Sequence, residues 1–135
     1  MSELKLTASL EDYLEAVYEI IEEKQGVRAS GISQRLGVAR SSVTEALKLL
    51  AAKGYINYGR YDVISLTDLG EKKAKAISEK HKTLYGFLSK ILGVEDKEAN
   101  LTACKIEHVI SDEVNDKLIN FIKQYEKERS KKVSK

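Results

Sequence analysis

Apolar side chains at Leu10, Tyr13, Leu14, Val17, Ile20 and Ile21 recur at three- and four-residue steps, the stripe of an amphipathic helix that starts near Ser9 and ends near Gly26. Ile32 and Leu36, closed by Gly37, predict a second, shorter helix. Val43, Ala46, Leu47, Leu50 and Ala51, closed by Gly54, predict a third after a turn of about four residues. Two helices on either side of a short turn have the form of a helix-turn-helix, whose second helix can enter the major groove of DNA.

After Gly54 the apolar period drops from about 3.6 to about 2. Tyr55-Ile56-Asn57-Tyr58 and Val63-Ile64-Ser65-Leu66 read as strands, and Gly59-Arg60-Tyr61-Asp62 as the loop of a β-hairpin. A hairpin directly behind a helix-turn-helix is a wing. Thr67 is placed to cap a long fourth helix carrying Leu69, Ala76, Ile77, Leu84, Leu88 and Ile91 and stopping at Gly93. Ala99, Ala103, Ile106 and Ile110 mark a fifth helix. Ser111 starts a sixth, with Asp112 and Glu113 in its positively polarised first turn and Val114, Leu118, Phe121, Ile122 and Tyr125 on one face. From Glu126 onward apolar residues almost vanish, and fraying is expected. The fold class is therefore mostly α, a winged helix-turn-helix domain over 1–70 followed by an α-helical domain over 71–128 and a basic flexible tail over 129–135.

Composition narrows the class. The chain has 135 residues with no proline, eight glycines and one cysteine, which suits one domain or two small ones rich in helix and excludes an internal disulfide. With no leading apolar run, a soluble cytoplasmic protein with no membrane partner is expected. The net charge of +2 hides a division. Residues 1–27 hold seven acidic and two basic side chains, whereas residues 28–66 hold six basic and two acidic ones. The second segment is the one suited to nucleic acid.

Within it, a helix that buries Val43, Leu47 and Leu50 presents Arg40, Ser41, Ser42, Thr44, Glu45 and Lys48 on its outer face and amino-terminal end. Arginine can pair with guanine or phosphate, short hydroxyls allow close approach, and a helix amino terminus favours phosphate. Arg28 before the second helix and Arg60 at the wing tip add candidate backbone contacts. The alternative is that Ser41 is an N-cap and the arginines are simply solvated.

Cys104, Glu107 and His108 stand at i, i+3 and i+4 on one helix face beside the apolar stripe, where an unpaired carboxylate is costly. Thiolate, carboxylate and imidazole together suit a first-row transition metal. The first helix offers Asp12 and Glu15, and the fourth offers His81. Each has a plainer reading. Ser9 to Asp12 can form a capping box, Glu15 can be a surface charge, His81 a hydrogen-bonded core-edge histidine and Cys104 a small buried hydrophobe. An enzyme using Cys104 and His108 as nucleophile and base would lack any phosphate loop or oxyanion motif, so no enzyme and no small organic substrate are expected.

ACKIEHVISDEV (Ala103 to Val114), SLEDYLEAVYEI (Ser9 to Ile20), Ala39-Arg40-Ser41-Ser42-Val43-Thr44 and Leu66-Thr67-Asp68-Leu69-Gly70 resemble the diphtheria toxin repressor family of metal-dependent transcriptional regulators. The resemblance runs from about Glu11 to Tyr125. It implies a homodimer with a helical dimerisation domain, a double-stranded DNA operator, and metal ligands at Asp12, Glu15, His81, Cys104, Glu107 and His108 between the two domains. Asp12 and Glu15 match the manganese-responsive branch and Cys104 the iron-responsive one, so the implied cofactor is Fe(II) or Mn(II), with Zn(II) and other divalent transition metals as further binders. Tyr85 and Asn100 stand where the iron branch has acidic and histidine groups, which implies that its ancillary site is missing. A short form without the family's SH3-like domain is expected, controlling metal-uptake genes. The rival reading is a winged-helix DNA-binding regulator that needs no metal.

Overall fold

A computed structural model describes residues 6–59, 61 and 63–133. The described elements are α1 (Ala8–Glu22), α2 (Ala29–Leu36), α3 (Arg40–Ala52), β1 (Ile56–Tyr58), β2 (Ile64–Leu66), α4 (Asp68–Gly86), a π-helical turn over Phe87–Ile91, α5 (Asp96–Glu107) and α6 (Asp112–Val133). The fold is mostly α, a winged helix-turn-helix followed by a helical region. Two compact units divide within α4, one over Met1–Ser78 and the other over Glu79–Lys135.

In the first unit, Leu14 and Val17 of α1, Ile32 of α2, and Val43, Leu47 and Leu50 of α3 are its largest fully buried side chains. Each contributes about 1.5–3 kcal/mol by leaving water, so this cluster fixes the three helices against one another. The turn between α2 and α3 relies on Gly37, which takes φ +67° while its N–H donates to the Ser33 carbonyl at 2.9 Å. That left-handed conformation strains any residue with a Cβ.

The hairpin pairs Ile56 with Leu66, Asn57 with Ser65 and Tyr58 with Ile64. Ile56 and Ile64 are buried while Asn57 and Ser65 face solvent, so the alternation seen in the sequence becomes an inner and an outer face. Thr67 caps α4 as its position implies: its hydroxyl accepts from the Gly70 N–H at 3.0 Å and lies 2.7 Å from the Gly54 carbonyl oxygen. Here the backbone runs so close to β1 that a Cβ on Gly70 would sit 1.8 Å from the Tyr55 carbonyl oxygen. Only glycine fits there.

Four expectations are corrected. The N-cap of α1 is Thr7, whose Oγ1 accepts from the Leu10 N–H at 3.1 Å, so Ser9 and Asp12 form no capping box. The N-cap of α3 is Ala39 with no side-chain bond, so Ser41 is not a cap. Leu69 and Ala76 on α4 are exposed, and its buried apolar side chains are Ala74, Ile77 and Leu84. Finally, α6 does not fray at Glu126 but continues to Val133, so residues 129–133 of the expected tail are helical. Lys, Glu and Arg are strong helix formers whose length does not depend on an apolar face, and Gln124 Nε2 donates to Glu128 Oε1 at 3.0 Å across one turn.

In the second unit, Ser111 caps α6 by accepting from the Val114 N–H at 3.1 Å, and Glu95 caps α5 by accepting from the N–H groups of Lys97 and Glu98. Lys80 Nζ reaches the Ile110 carbonyl (3.3 Å) and Asp112 Oδ1 (3.0 Å), tying α4 to the turn between α5 and α6. Large apolar side chains stay in solvent here: Leu92, Leu101, Val109, Val114 and Phe121 are each more than half exposed. The apolar face read along α6 therefore buries little within its own chain.

Candidate metal centre and nucleic-acid interface

Backbone geometry first places the donors. On α5, Cys104 and Glu107 lie one turn apart, and His108 is the C-cap, with φ −82° and ψ −16°. Their ligand atoms, the Cys104 Sγ, a Glu107 carboxylate oxygen and a His108 ring nitrogen, fall within 4.8 Å of one another. His81, on α4, donates from Nδ1 to Glu107 Oε1 at 2.6 Å, and its Nε2 lies 2.8 Å from Asn100 Oδ1. The His81 ring is stacked on Tyr85, 6.5 Å between centroids and 7° between planes. Within this unit the fold thus brings together all four expected donors.

Electrostatics single out Glu107. Its side chain is wholly inaccessible to solvent, and Oε2 has no hydrogen-bond partner among the described residues; His108 Nε2 is 3.8 Å away. A buried carboxylate oxygen left unpaired costs several kcal/mol of desolvation, on the order of the penalty for one buried ion. The donor set fits a divalent transition metal, because a cation held by Cys104, Glu107 and His108 would satisfy that oxygen. At Tyr85 and Asn100 no carboxylate or imidazole is offered. The Tyr85 phenol is hydrogen-bonded to Asp96, and the carboxylate beside it raises the phenol above its ordinary range. Asn100 is engaged with His81.

In the first unit, Asp12 and Glu15 share a face of α1, three residues apart. Asp12 is half-buried. Glu15 is buried, which overturns its reading as a surface charge. Among the described residues the buried polar and charged side chains are Glu15, Ser78, Glu107 and Asn115. Both buried carboxylates are therefore expected metal ligands.

The candidate DNA-facing residues sit at helix starts and on the outer side of α3. Arg28 is the exposed N-cap of α2, in extended conformation. Arg40, Ser41, Ser42 and Lys48 are exposed, while Thr44 is half-buried and donates its hydroxyl to the Arg40 carbonyl at 3.1 Å. Arg60 lies outside the described residues. Arg35, one of the six basic groups in the segment, is spoken for within the chain: its guanidinium binds Glu23 at 2.6 Å and Glu19 at 3.2 Å. The hydrogen bond to Glu23 is the main reason its proton is held more tightly than usual. This pairing joins α1 to α2 and was not legible from the sequence, since the partners are sixteen and twelve residues away.

Comparison with known proteins adds independent findings. Residues 5–64 match the family model described as iron dependent repressor, N-terminal DNA binding domain, and residues 67–132 match that described as iron dependent repressor, metal binding and dimerisation domain. An uncharacterised HTH-type transcriptional regulator of Methanocaldococcus jannaschii is 39% identical over 121 residues, spanning 89% of this chain and 97% of that protein. The HTH-type transcriptional regulator MntR of Bacillus subtilis is 34% identical over 126 residues, spanning 93% and 88%. Among solved structures, the metal-dependent transcriptional regulator MtsR is similar with a TM-score of 0.79 at 27% identity, over 87% of this chain and 55% of that one. A manganese-dependent transcriptional repressor in complex with manganese gives 0.74 at 29% identity, over 81% and 50%. The chain spans about half the length of these two structures.

Proposed function

The chain belongs to the iron dependent repressor family of metal-dependent, DNA-binding transcriptional regulators, and from that premise we propose that it is a homodimeric repressor switched on by Fe(II) or Mn(II). The proposed ligands are Asp12 and Glu15 of the first unit and His81, Cys104, Glu107 and His108 of the second. The observation that carries this reading is the buried Glu107 oxygen without a hydrogen-bond partner, beside a thiol and an imidazole. When bound, the cation supplies positive charge to these carboxylates and so favours the protein conformation that both sets of donors can reach together. An effector shifts an equilibrium only by such differential affinity.

Residues of the chain then divide the work. Glu107 and His108 give hard and borderline donors and Cys104 a soft one, a mixture suited to Fe(II) and able to take Zn(II). His81 orients the Glu107 carboxylate through its 2.6 Å bond. Residues 1–70 are the DNA-binding part and 71–128 the metal-binding and dimerisation part. Arg28, Arg40, Ser41, Ser42, Thr44, Lys48 and Arg60 are the proposed DNA contacts. A twofold dimer would read a pseudo-palindrome whose half-sites lie about one helical turn, roughly 34–36 Å, or a multiple of it, apart. Such a protein acts where the chromosome is, in the cytoplasm, without catalysis or a small organic substrate, and genes of metal uptake are its proposed targets.

The deciding experiment is anisotropy with a duplex selected from a random pool, run with chelator and with added Fe(II) or Mn(II). Tighter binding with metal is expected. Equal affinity throughout would assign the chain to the metal-independent alternative.

A further inference from the structure

Asn100 lies within α5, one turn before Cys104, so Asn100, Cys104, Glu107 and His108 at i, i+4, i+7 and i+8 share one face of the helix. Asparagine is a poorer helix former than alanine, because its amide competes for backbone groups. The Asn100 side chain reaches instead across to α4, where its Oδ1 lies 2.8 Å from His81 Nε2. None of the roles proposed above uses it. An exposed polar side chain placed inside a helix and aimed at a proposed ligand points to a task at that ligand.

His81 has two ring nitrogens, and both are engaged: Nδ1 with Glu107 Oε1 at 2.6 Å and Nε2 with Asn100. The ring is also stacked on Tyr85, whose hydroxyl is hydrogen-bonded to Asp96. A nitrogen coordinates a cation through its lone pair, which is unavailable while that nitrogen is held in a hydrogen bond, whichever partner supplies the proton. Ligation by His81 therefore has to break one of the two contacts, and they are unequal. The Glu107 side chain is wholly inaccessible to solvent, and a bond to its carboxylate is of the charge-assisted kind, roughly twice as strong as a neutral one. Asn100 offers a neutral amide at an exposed position, so the contact to Asn100 is the one that gives way. Resting on the repressor reading above, we infer that Asn100 competes with the metal ion for His81 and thereby raises the metal concentration at which the repressor is switched on. One neutral hydrogen bond is worth about three- to tenfold in an equilibrium constant, which sets the size of the effect.

The test measures Mn(II) and Fe(II) affinity of the full chain without oxygen and at one fixed pH, by competition with a chromophoric chelator. Asn100→Ala and Asn100→Leu, neither able to bond His81, are expected to tighten metal binding about three- to tenfold. In a His81→Ala background the same substitutions change nothing, because the competition has lost its object. Anisotropy with a duplex selected by the wild type then reaches half-maximal binding at a correspondingly lower Mn(II) concentration. A purely structural role for Asn100 shifts Tm by equal amounts with and without metal and leaves metal affinity unchanged, and that result overturns the inference. So does weaker metal binding in both variants, which would make Asn100 a support for His81, or a gain that persists without His81. A wild type that binds neither Mn(II) nor Fe(II) overturns the repressor reading itself, whereas wild-type affinity matched by both variants overturns the inference about Asn100 alone.

Discussion

His81 donates a 2.6 Å hydrogen bond to the one Glu107 oxygen that has a partner, and the other oxygen of that buried carboxylate has none among the described residues. Two proposed ligands, one of which also orients the other, are thus distinguishable by substitution. Glu107→Gln removes the buried charge and keeps the shape, so the protein stays folded while Mn(II) and Fe(II) affinity falls by at least about 100-fold. His81→Ala weakens metal binding by about 10–100-fold. Calorimetric titration measures both. The linked readout is heat stability: metal at 100 times its Kd raises wild-type stability by about 2.7 kcal/mol, and Glu107→Gln loses that rise. A wild-type rise in Glu107→Gln would remove Glu107 from the ligand set.

Cys104 decides between metals. A thiolate favours Fe(II), Zn(II) and other softer ions over Mn(II), so Cys104→Glu shifts the ratio of Mn(II) to Zn(II) affinity toward Mn(II) by about tenfold or more, while Cys104→Ser weakens Zn(II) most. Competition titrations with a chromophoric chelator give the ratio. An unchanged ratio would mean that the Cys104 sulfur lies outside the coordination sphere.

Much of this was legible because helical and strand periods leave strong marks. The stripe from Leu10 to Ile21, the two short helices and the switch of period after Gly54 all correspond to observed elements. Cys104, Glu107 and His108 were legible as one face because a single helix carries them. What escaped was decided by neighbours far along the chain or by competition at one position. Thr7 and Ser9 both suit an N-cap, and only the backbone path selects Thr7. Arg35 reads as a free cation until α2 packs beside Glu19 and Glu23. The exposure of Val114 and Phe121 had no sequence mark either, because an apolar helix face looks the same whether its own chain or another copy covers it.

Gly70 makes a stability prediction that is independent of metal. A Cβ 1.8 Å from the Tyr55 carbonyl oxygen cannot be relieved by a side-chain rotation, since the obstacle is backbone. Gly70→Ala therefore costs about 3 kcal/mol or more as the start of α4 is pushed from β1. Gly86→Ala, where nothing lies within 4 Å of the added methyl, is neutral or slightly stabilising in the same helix. Urea denaturation of the pair checks the contrast, and equal midpoints would refute the close approach.

Basic residues near α2 and α3 differ in what they can give to DNA. Lys48 and Arg40 are exposed on α3, so Lys48→Ala or Arg40→Ala weakens binding and, for each phosphate no longer neutralised, lowers the salt slope by about 0.9. Arg35 is already bound to two carboxylates. Arg35→Ala leaves the salt slope unchanged, and its cost to stability is about 1 kcal/mol or less, as for exposed ion pairs generally. A slope that drops with Arg35→Ala would place that guanidinium on DNA instead.

Phe121 provides the test of assembly. Its ring lies 6.2 Å from both Phe87 and Tyr125, yet half of it is exposed, on the same helix as exposed Val114. Aromatic side chains left this open are what a second copy would bury, and a family with a dimerisation domain supplies that copy. Phe121→Glu puts a charge into the proposed interface, where desolvation costs several kcal/mol, so light scattering is expected to give the mass of one 15.1 kDa chain instead of two. Lys75→Glu, exposed on α4 beside Glu71, Lys72 and Glu79, remains dimeric. Because Phe121 is not among the proposed ligands, the monomer keeps its Zn(II) binding by the α5 donors while losing the two-site DNA affinity that symmetry provides. A Phe121→Glu protein that remains dimeric and binds its duplex as the wild type does would move the interface to another face.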